Sequence, residues 1–230
     1  MRDVTFNKDY LRNYTNFYPS ANASYTYKPN HSIRLYYNGH TTQPTVNQLQ
    51  PLRNNNDYFN QVIGNPSLKP SFTNSFRMGH QTYNFLKDFW AYQSINVTLT
   101  QNAITTTSMV DLDSGKTVSQ PVNVNGNYFV GFFGGVGFKV KKIDTRFNLS
   151  PNLNFNRYAS VINSQKSYSE AFSPGLWISA SKSKEKKYDL YIAEGLTIAQ
   201  TKHRKMILKS VTILTHYPFT ELFIIKKSGH

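Results

Sequence analysis

Apolar and polar residues take turns along most of this chain. In "NYFVGFFGGVGFKV" (127–140) one set of alternate positions is Tyr128, Val130, Phe132, Gly134, Val136, Phe138 and Val140. The other set, Asn127, Phe129, Gly131, Phe133, Gly135, Gly137 and Lys139, is smaller and becomes polar toward its end. "DTRFNLSPNLNFNR" separates further, with Phe147, Leu149, Leu153 and Phe155 against Arg146, Asn148, Ser150, Asn152, Asn154 and Asn156. Successive side chains of a strand point to opposite faces, so a period of two predicts strands with one apolar and one polar face. Weaker copies group Ile33, Leu35 and Tyr37; Phe89, Ala91, Ile95, Val97 and Leu99; Leu176, Ile178 and Ala180; and Tyr188, Leu190 and Ile192. Helical periodicity is nearly absent before the last stretch, which predicts an all-β chain of about nine or ten strands.

The connections between these strands are unequal. Four are short and polar, "KPNHS" (28–32), "NFLKD" (84–88), "KKID" (141–144) and "KSKEKK" (182–187), and longer ones near 39–70, 108–124 and 157–168 alternate with them. An antiparallel up-and-down sheet with tight turns at one end and long loops at the other gives this order, and transmembrane β-barrels have that asymmetry. Residues 89–106 and 125–140 also exceed the five or so residues of an ordinary strand. Aromatics fall near the inferred strand ends at Tyr27, Tyr83, Phe89, Trp90, Tyr128, Tyr158, Tyr168 and Tyr188, where interfacial girdles would put them. A soluble or secreted β-sandwich that binds carbohydrate through its aromatics is the alternative. The direction of each strand's apolar face separates the two.

Composition narrows the chemistry. There is no cysteine, and the six histidines have no ligand spacing, so no metal or other cofactor is expected. The net charge of +14 raises nucleic acid as a partner, but no binding motif accompanies it and none is expected. Only twelve acidic residues are present, without a carboxylate pair or a Ser-His-Asp arrangement, so no enzyme is expected. "DLDSG" (111–115) lacks the glycine and glutamate positions of a calcium loop and reads as a hairpin turn. No apolar run is long enough for a transmembrane helix, and "MRDVTFNKDY" has no secretory apolar core.

Residues 41–79, "TTQPTVNQLQPLRNNNDYFNQVIGNPSLKPSFTNSFRMG", carry two ordered elements. The first holds Gln43, Pro44, Thr45, Gln48, Leu49, Gln50, Pro51 and Leu52; the second holds Gly64, Asn65, Pro66, Leu68, Lys69 and Pro70. In these the chain resembles the outer-membrane β-barrel family of Bacteroidetes, relatives of TonB-dependent receptors, although Ser71 stands where that family commonly has glutamate. Glycine and proline forbid both helix and central strand across Gly64–Pro70. The segment therefore reads as a rigid loop-to-strand connector, with Leu68 as anchor and Pro70 opening the strand.

The resemblance implies a location in the outer membrane, contact with its lipid, and a part in TonB-dependent uptake of a siderophore, glycan or peptide. Asn148, Asn152, Asn154 and Asn156 would line the lumen, and loops near 41–63 and 108–123 would face outside. Receptors of this kind are roughly 22-stranded barrels with an N-terminal plug, so the chain is expected to be an interior piece, with any energy coupling passing through a plug it lacks. Residues 1–192 form the expected barrel segment, and 193–230 an atypical basic tail. All 24 asparagines precede residue 164. The change of texture is open to two readings: a shifted frame between 190 and 202, or a genuine tail with one or two strands in "SVTILTHYPF" (210–219).

Overall fold

The computed structural model of the chain describes residues 2–3, 8–9, 15–51, 53–54, 57–184, 188–204, 212–213 and 221–225. Two short strands, β1 (Arg2–Asp3) and β2 (Lys8–Asp9), pair with each other. The rest builds one sheet from β3 (Ser20–Lys28), β4 (His31–Thr42), the helical turn α1 (Val46–Leu49), β5 (Arg53–Asn54) and β6 (Asn60–Ile63). It continues with β7 (Ser71–Asn84), β8 (Phe89–Gln101), β9 (Ala103–Val110), β10 (Thr117–Val124), β11 (Asn127–Val140) and β12 (Thr145–Ile162). It ends with β13 (Gln165–Lys184), β14 (Tyr188–Thr197), β15 (Ala199–Arg204), β16 (Thr212–Ile213) and β17 (Glu221–Ile225). Through the middle runs an antiparallel up-and-down series, β3-β4-β7-β8-β11-β12-β13-β14-β17. Among the described residues its two edges do not meet, so the sheet is an open, partial barrel.

Register fixes the faces. Phe132 pairs with both Ile95 and Leu153, and Leu149 pairs with Val136 and Ile178, so the apolar alternate positions of four strands share one surface. That surface is uncovered: Leu35, Met78, Ile95, Leu153, Ile178 and Ile192 are each more than 40% exposed. Among the described residues Leu68 is the one large side chain that is fully buried. A sandwich would hide its apolar face under a second sheet. Here there is a single layer, and the carbohydrate-binding sandwich falls on that point.

The loop end differs from the expected pattern in three places. Residues 157–168 form no long loop: β12 and β13 pair without a break to Ile162–Gln165, and Asn163 (φ 47°) and Ser164 (φ 63°) close a two-residue turn. Two successive positive φ values are what a primed hairpin turn requires, and asparagine tolerates them. Residues 108–124 are likewise strand rather than loop, because β9 and β10 extend the β8–β11 hairpin beyond a kink at Asn102 (φ 51°) and Gly126 (φ 107°). Past the kink the sheet contains two parallel junctions, β9 with β12 and β10 with β6. The short turns at 29–30, 85–88 and 141–144 fall where expected. Residues 185–187 of the fourth turn, Leu52, and most of the tail past Arg204 lie outside the described residues.

The aromatics divide between the faces. Phe89 and Tyr128 continue the apolar face, whereas Tyr83 pairs with Trp90 on the polar face. Neither Tyr83 nor Trp90 therefore belongs to a girdle. The Trp90 ring stacks on Tyr92 at 5.5 Å and 7°, and both lie over Gly135 and Gly137 of β11. A Cβ at Gly135 would stand 2.6 Å from Tyr92 Cε1, and one at Gly137 would overlap Trp90. The glycines at alternate positions of β11 are thus the floor on which the rings of β8 rest.

Candidate functional site

Two places gather the side chains singled out above. The first is at the loop end. Thr45 caps α1 through its hydroxyl, which accepts from Gln48 N at 3.3 Å, and Gln48 Oε1 accepts from Thr45 N at 2.9 Å, a complete capping box. Gln43 donates to Asn16 Oδ1 at 2.8 Å, Pro44 is buried, Leu49 half-buried and Pro51 exposed. The helical turn aims the Gln48 carbonyl at Asn65, whose N–H donates to it at 2.7 Å. Gly64 lies against the backbone of Gln50, where any Cβ would overlap the Gln50 carbonyl oxygen. The two sequence elements therefore dock on each other.

Asn65 and Asn123 then tie this pair to the sheet. Asn65 Oδ1 accepts from Ser67 N at 2.9 Å, and its Nδ2 donates to the Pro121 carbonyl of β10 at 3.0 Å. Asn123 treats Lys69 as a strand neighbour: its Oδ1 accepts from Lys69 N at 2.8 Å and its Nδ2 donates to Lys69 O at 2.9 Å. Pro66 and Pro70 are half-buried, Leu68 is 1% exposed, and Pro70 directly precedes β7. This is a chain of backbone contacts with no convergent reactive groups.

The second place is on the polar face, where β4, β7, β8 and the start of β11 curve around a concavity of about 850 Å³. Alternation brings Arg34 and Tyr36 of β4, Arg77 and Gln81 of β7, and Tyr92 and Asn96 of β8 to its wall. Arg34 pairs with Gly79 and Arg77 with Tyr36, so the two guanidinium groups come from diagonal positions of neighbouring strands. Gly79 leaves the space between open, since a Cβ there would meet nothing within 4 Å. Arg77 Nε donates to Asn96 Oδ1 at 2.7 Å. Among the described residues no carboxylate pairs with either arginine. Two forked donors without a carboxylate partner, beside phenol rings, suit a ligand that presents carboxylate or phosphate oxygens on a flat body.

Asn148, Asn152, Asn154 and Asn156 stand on the same face farther along, with Asn148 donating to Ser179 Oγ at 3.1 Å. Sequence reasoning placed those amides there but passed over Arg34 and Arg77. The signal was available in "SIRLYYN", whose positions between Ile33, Leu35 and Tyr37 are Arg34 and Tyr36. Among the described residues no group of three or more His, Asp or Glu could hold a metal ion. No helix among them is long and apolar enough to cross a membrane, which has no bearing on strands.

Comparison with known proteins gives two findings. Residues 2–190 match the family described as the outer membrane protein beta-barrel family. The solved structure of the siderophore receptor PirA from Pseudomonas aeruginosa is similar at 12% identity and a TM-score of 0.45, over 81% of this chain and 42% of that one. The chain thus spans less than half of that receptor. No curated protein matches the sequence.

Proposed function

From the premise that the chain belongs to the outer membrane protein beta-barrel family, we propose that it forms part of the wall of a receptor for TonB-dependent uptake. The chain resides in the outer membrane, with its apolar face against lipid. On this reading it binds and passes a ligand without making or breaking bonds. The observation that carries the reading is the polar concavity with Arg34, Arg77, Tyr36 and Tyr92, which offers charged donors on a face turned away from lipid. Of the three expected ligand classes, a siderophore or an acidic glycan can bring anionic oxygens to both arginines; a linear peptide without acidic side chains offers its C-terminal carboxylate alone. The Gly64–Pro70 segment serves as the connector that sets the start of β7 and the loop above it.

Uptake in the native host tests the reading. A strain deleted for the locus and the same strain carrying Arg34→Ala with Arg77→Ala should both lose accumulation of one labelled anionic ligand. A protonophore should abolish that accumulation in the parent strain. Unchanged accumulation of siderophores, acidic glycans and peptides in the deleted strain would remove the receptor reading.

A further inference from the structure

The rim at the short-turn end is strongly basic. Lys28, Lys87, Lys141, Lys142 and Lys184 are exposed there, and Lys182 is half-exposed. Among the described residues, two acids of these turns are already engaged from the polar face: Asp88 pairs with Arg146 at 2.9 Å and Asp144 with Lys139 at 2.7 Å. Asp189 accepts from the Ser183 hydroxyl. Among the described residues none of the six rim lysines has an acid within ion-pair distance. The loop end carries Arg53, Lys69, Lys116, Arg157, Lys166, Lys202 and Arg204 against Asp57, Asp111, Asp113 and Glu170 among the described residues, and there Arg157 is paired with Glu170 at 3.7 Å.

Two features of the apolar face lie just inside this rim. Tyr27 Oη bonds His80 Nε2 at 2.9 Å, His80 Nδ1 bonds Gln93 Oε1 at 2.7 Å, and His31 bonds Thr82, a polar patch on an otherwise apolar surface. Rings with one polar edge are suited to the headgroup level of a bilayer. Beside Lys182, small Ala180 leaves an apolar groove of about 240 Å³ walled by Leu190, Ile192 and Thr145. A groove of that kind accepts the upper part of an acyl chain while the ammonium of Lys182 reaches its headgroup.

We infer that the short-turn rim binds the phosphates of anionic phospholipid, which anchors this end of the sheet in the leaflet it faces. In barrels of this type the short turns face the periplasm, so the partner is phospholipid rather than the lipopolysaccharide of the opposite leaflet. Long ammonium side chains meet phosphate as mobile point charges, so many lysines around a rim hold a lipid belt without a single fixed site.

Partition of the full chain into vesicles tests this. The vesicles are of phosphatidylcholine alone, phosphatidylcholine with phosphatidylglycerol, or phosphatidylcholine with lipopolysaccharide. A rim variant carries Lys87→Gln, Lys141→Gln, Lys142→Gln and Lys184→Gln. A loop-end control of equal charge carries Lys69→Gln, Lys116→Gln, Lys166→Gln and Lys202→Gln. The rim variant should lose about fivefold in phosphatidylglycerol-dependent partition for each lysine removed, and lysine-to-arginine changes at the same positions should retain it. The preference should vanish at about 1 M salt, where screening shortens to about 3 Å. Equal loss in the loop-end control would reduce the effect to net charge and overturn the proposal. So would a rim variant that partitions like the parent, or a parent that prefers lipopolysaccharide.

Discussion

At the loop end asparagine amides are directed at backbone, whereas at the short-turn end carboxylates are directed at side-chain cations. Asn65, Asn123, Asn125, Asn127 and Asn163 bond the main chain of Pro121, Lys69, Asn102, Ala159 and Val110 in turn. Asp88 and Asp144 instead reach Arg146 and Lys139. A side-chain amide has the same donor and acceptor as a peptide unit, so it can stand in for a missing strand neighbour where the chain leaves the ladder. The loop end also has a small buried cluster, Ala103, Val124 and Ala159 with Val122, Val161 and Tyr168 packed on it. Irregular backbone at the loop end therefore acquires partners distant in sequence, whereas in the short turns the side-chain partners are local, Asn84 for Lys87 N and Thr145 for the Ile143 carbonyl.

The comparison breaks most sharply at Gly64. Gly64→Ala puts a methyl group into the Gln50 carbonyl, and because the obstacle is backbone it cannot rotate away. The docking of the two loop elements should be lost, at a cost of about 3 kcal/mol. Urea unfolding in detergent micelles, followed through the fluorescence of Trp90 and Trp177, should show the earlier midpoint. Protease should cut first between Gln43 and Pro70. A midpoint equal to the parent's would mean that the loop end is not locked at this contact.

Asn123→Ala comes next. It removes both bonds to Lys69 and a third, from Nδ2 to the Asn102 carbonyl at 2.8 Å. Losing three bonds, two at the exposed Lys69 and one at the partly buried Asn102 carbonyl, would cost about 2 kcal/mol by the same measurement. Hydrogen exchange at the Lys69 amide should quicken in the variant. If exchange there is unchanged, the amide is held by something other than Asn123.

These two residues also mark what could be read from the sequence. The period of two gave the faces, because each strand is one-sided and register needs only the alternation. In "GNPSLKP" Gly and Pro alone excluded helix and central strand, and the segment lies between β6 and β7 with neither. Its partners were not legible: nothing local links Lys69 to Asn123, which is 54 residues away. The primed turn at Asn163–Ser164 was missed because its residues tolerate positive φ without announcing it as glycine would. Arg34 and Arg77 were passed over for a similar reason. Each is one polar position in an alternating strand, and only the pairing of β4 with β7 makes them neighbours.

Gly137→Ala is the short-turn counterpart of Gly64→Ala and should be milder. The added methyl group meets the Trp90 ring and the Asn148 amide, which are the ends of side chains and can give way. A cost of about 1 kcal/mol is expected, with a shift in the Trp90 emission as the ring lifts from the glycine floor. A loss as large as that of Gly64→Ala would mean that ring-over-glycine packing is as rigid as a backbone contact.

The smallest effect belongs to the ion pairs and depends on pH. The Lys139 ammonium bonds Asp144, and its charge, with those of Lys182 and Lys184, holds the Asp144 carboxyl below the usual carboxylate range. A carboxyl depressed in the folded state contributes stability above its unfolded value of 3.8 and loses it as pH falls through the folded value. Both side chains are partly exposed, at 33% and 57%, so salt should weaken the contribution further. Asp144→Asn should therefore unfold slightly earlier than the parent at neutral pH and low salt. The two curves should converge once the medium is acidic enough to protonate Asp144 in both states. A difference that persists at such pH would assign the role of Asp144 to its turn, where it sits at φ 53°, rather than to its charge. The short-turn end would then be held by backbone conformation, as the loop end is held by backbone contacts.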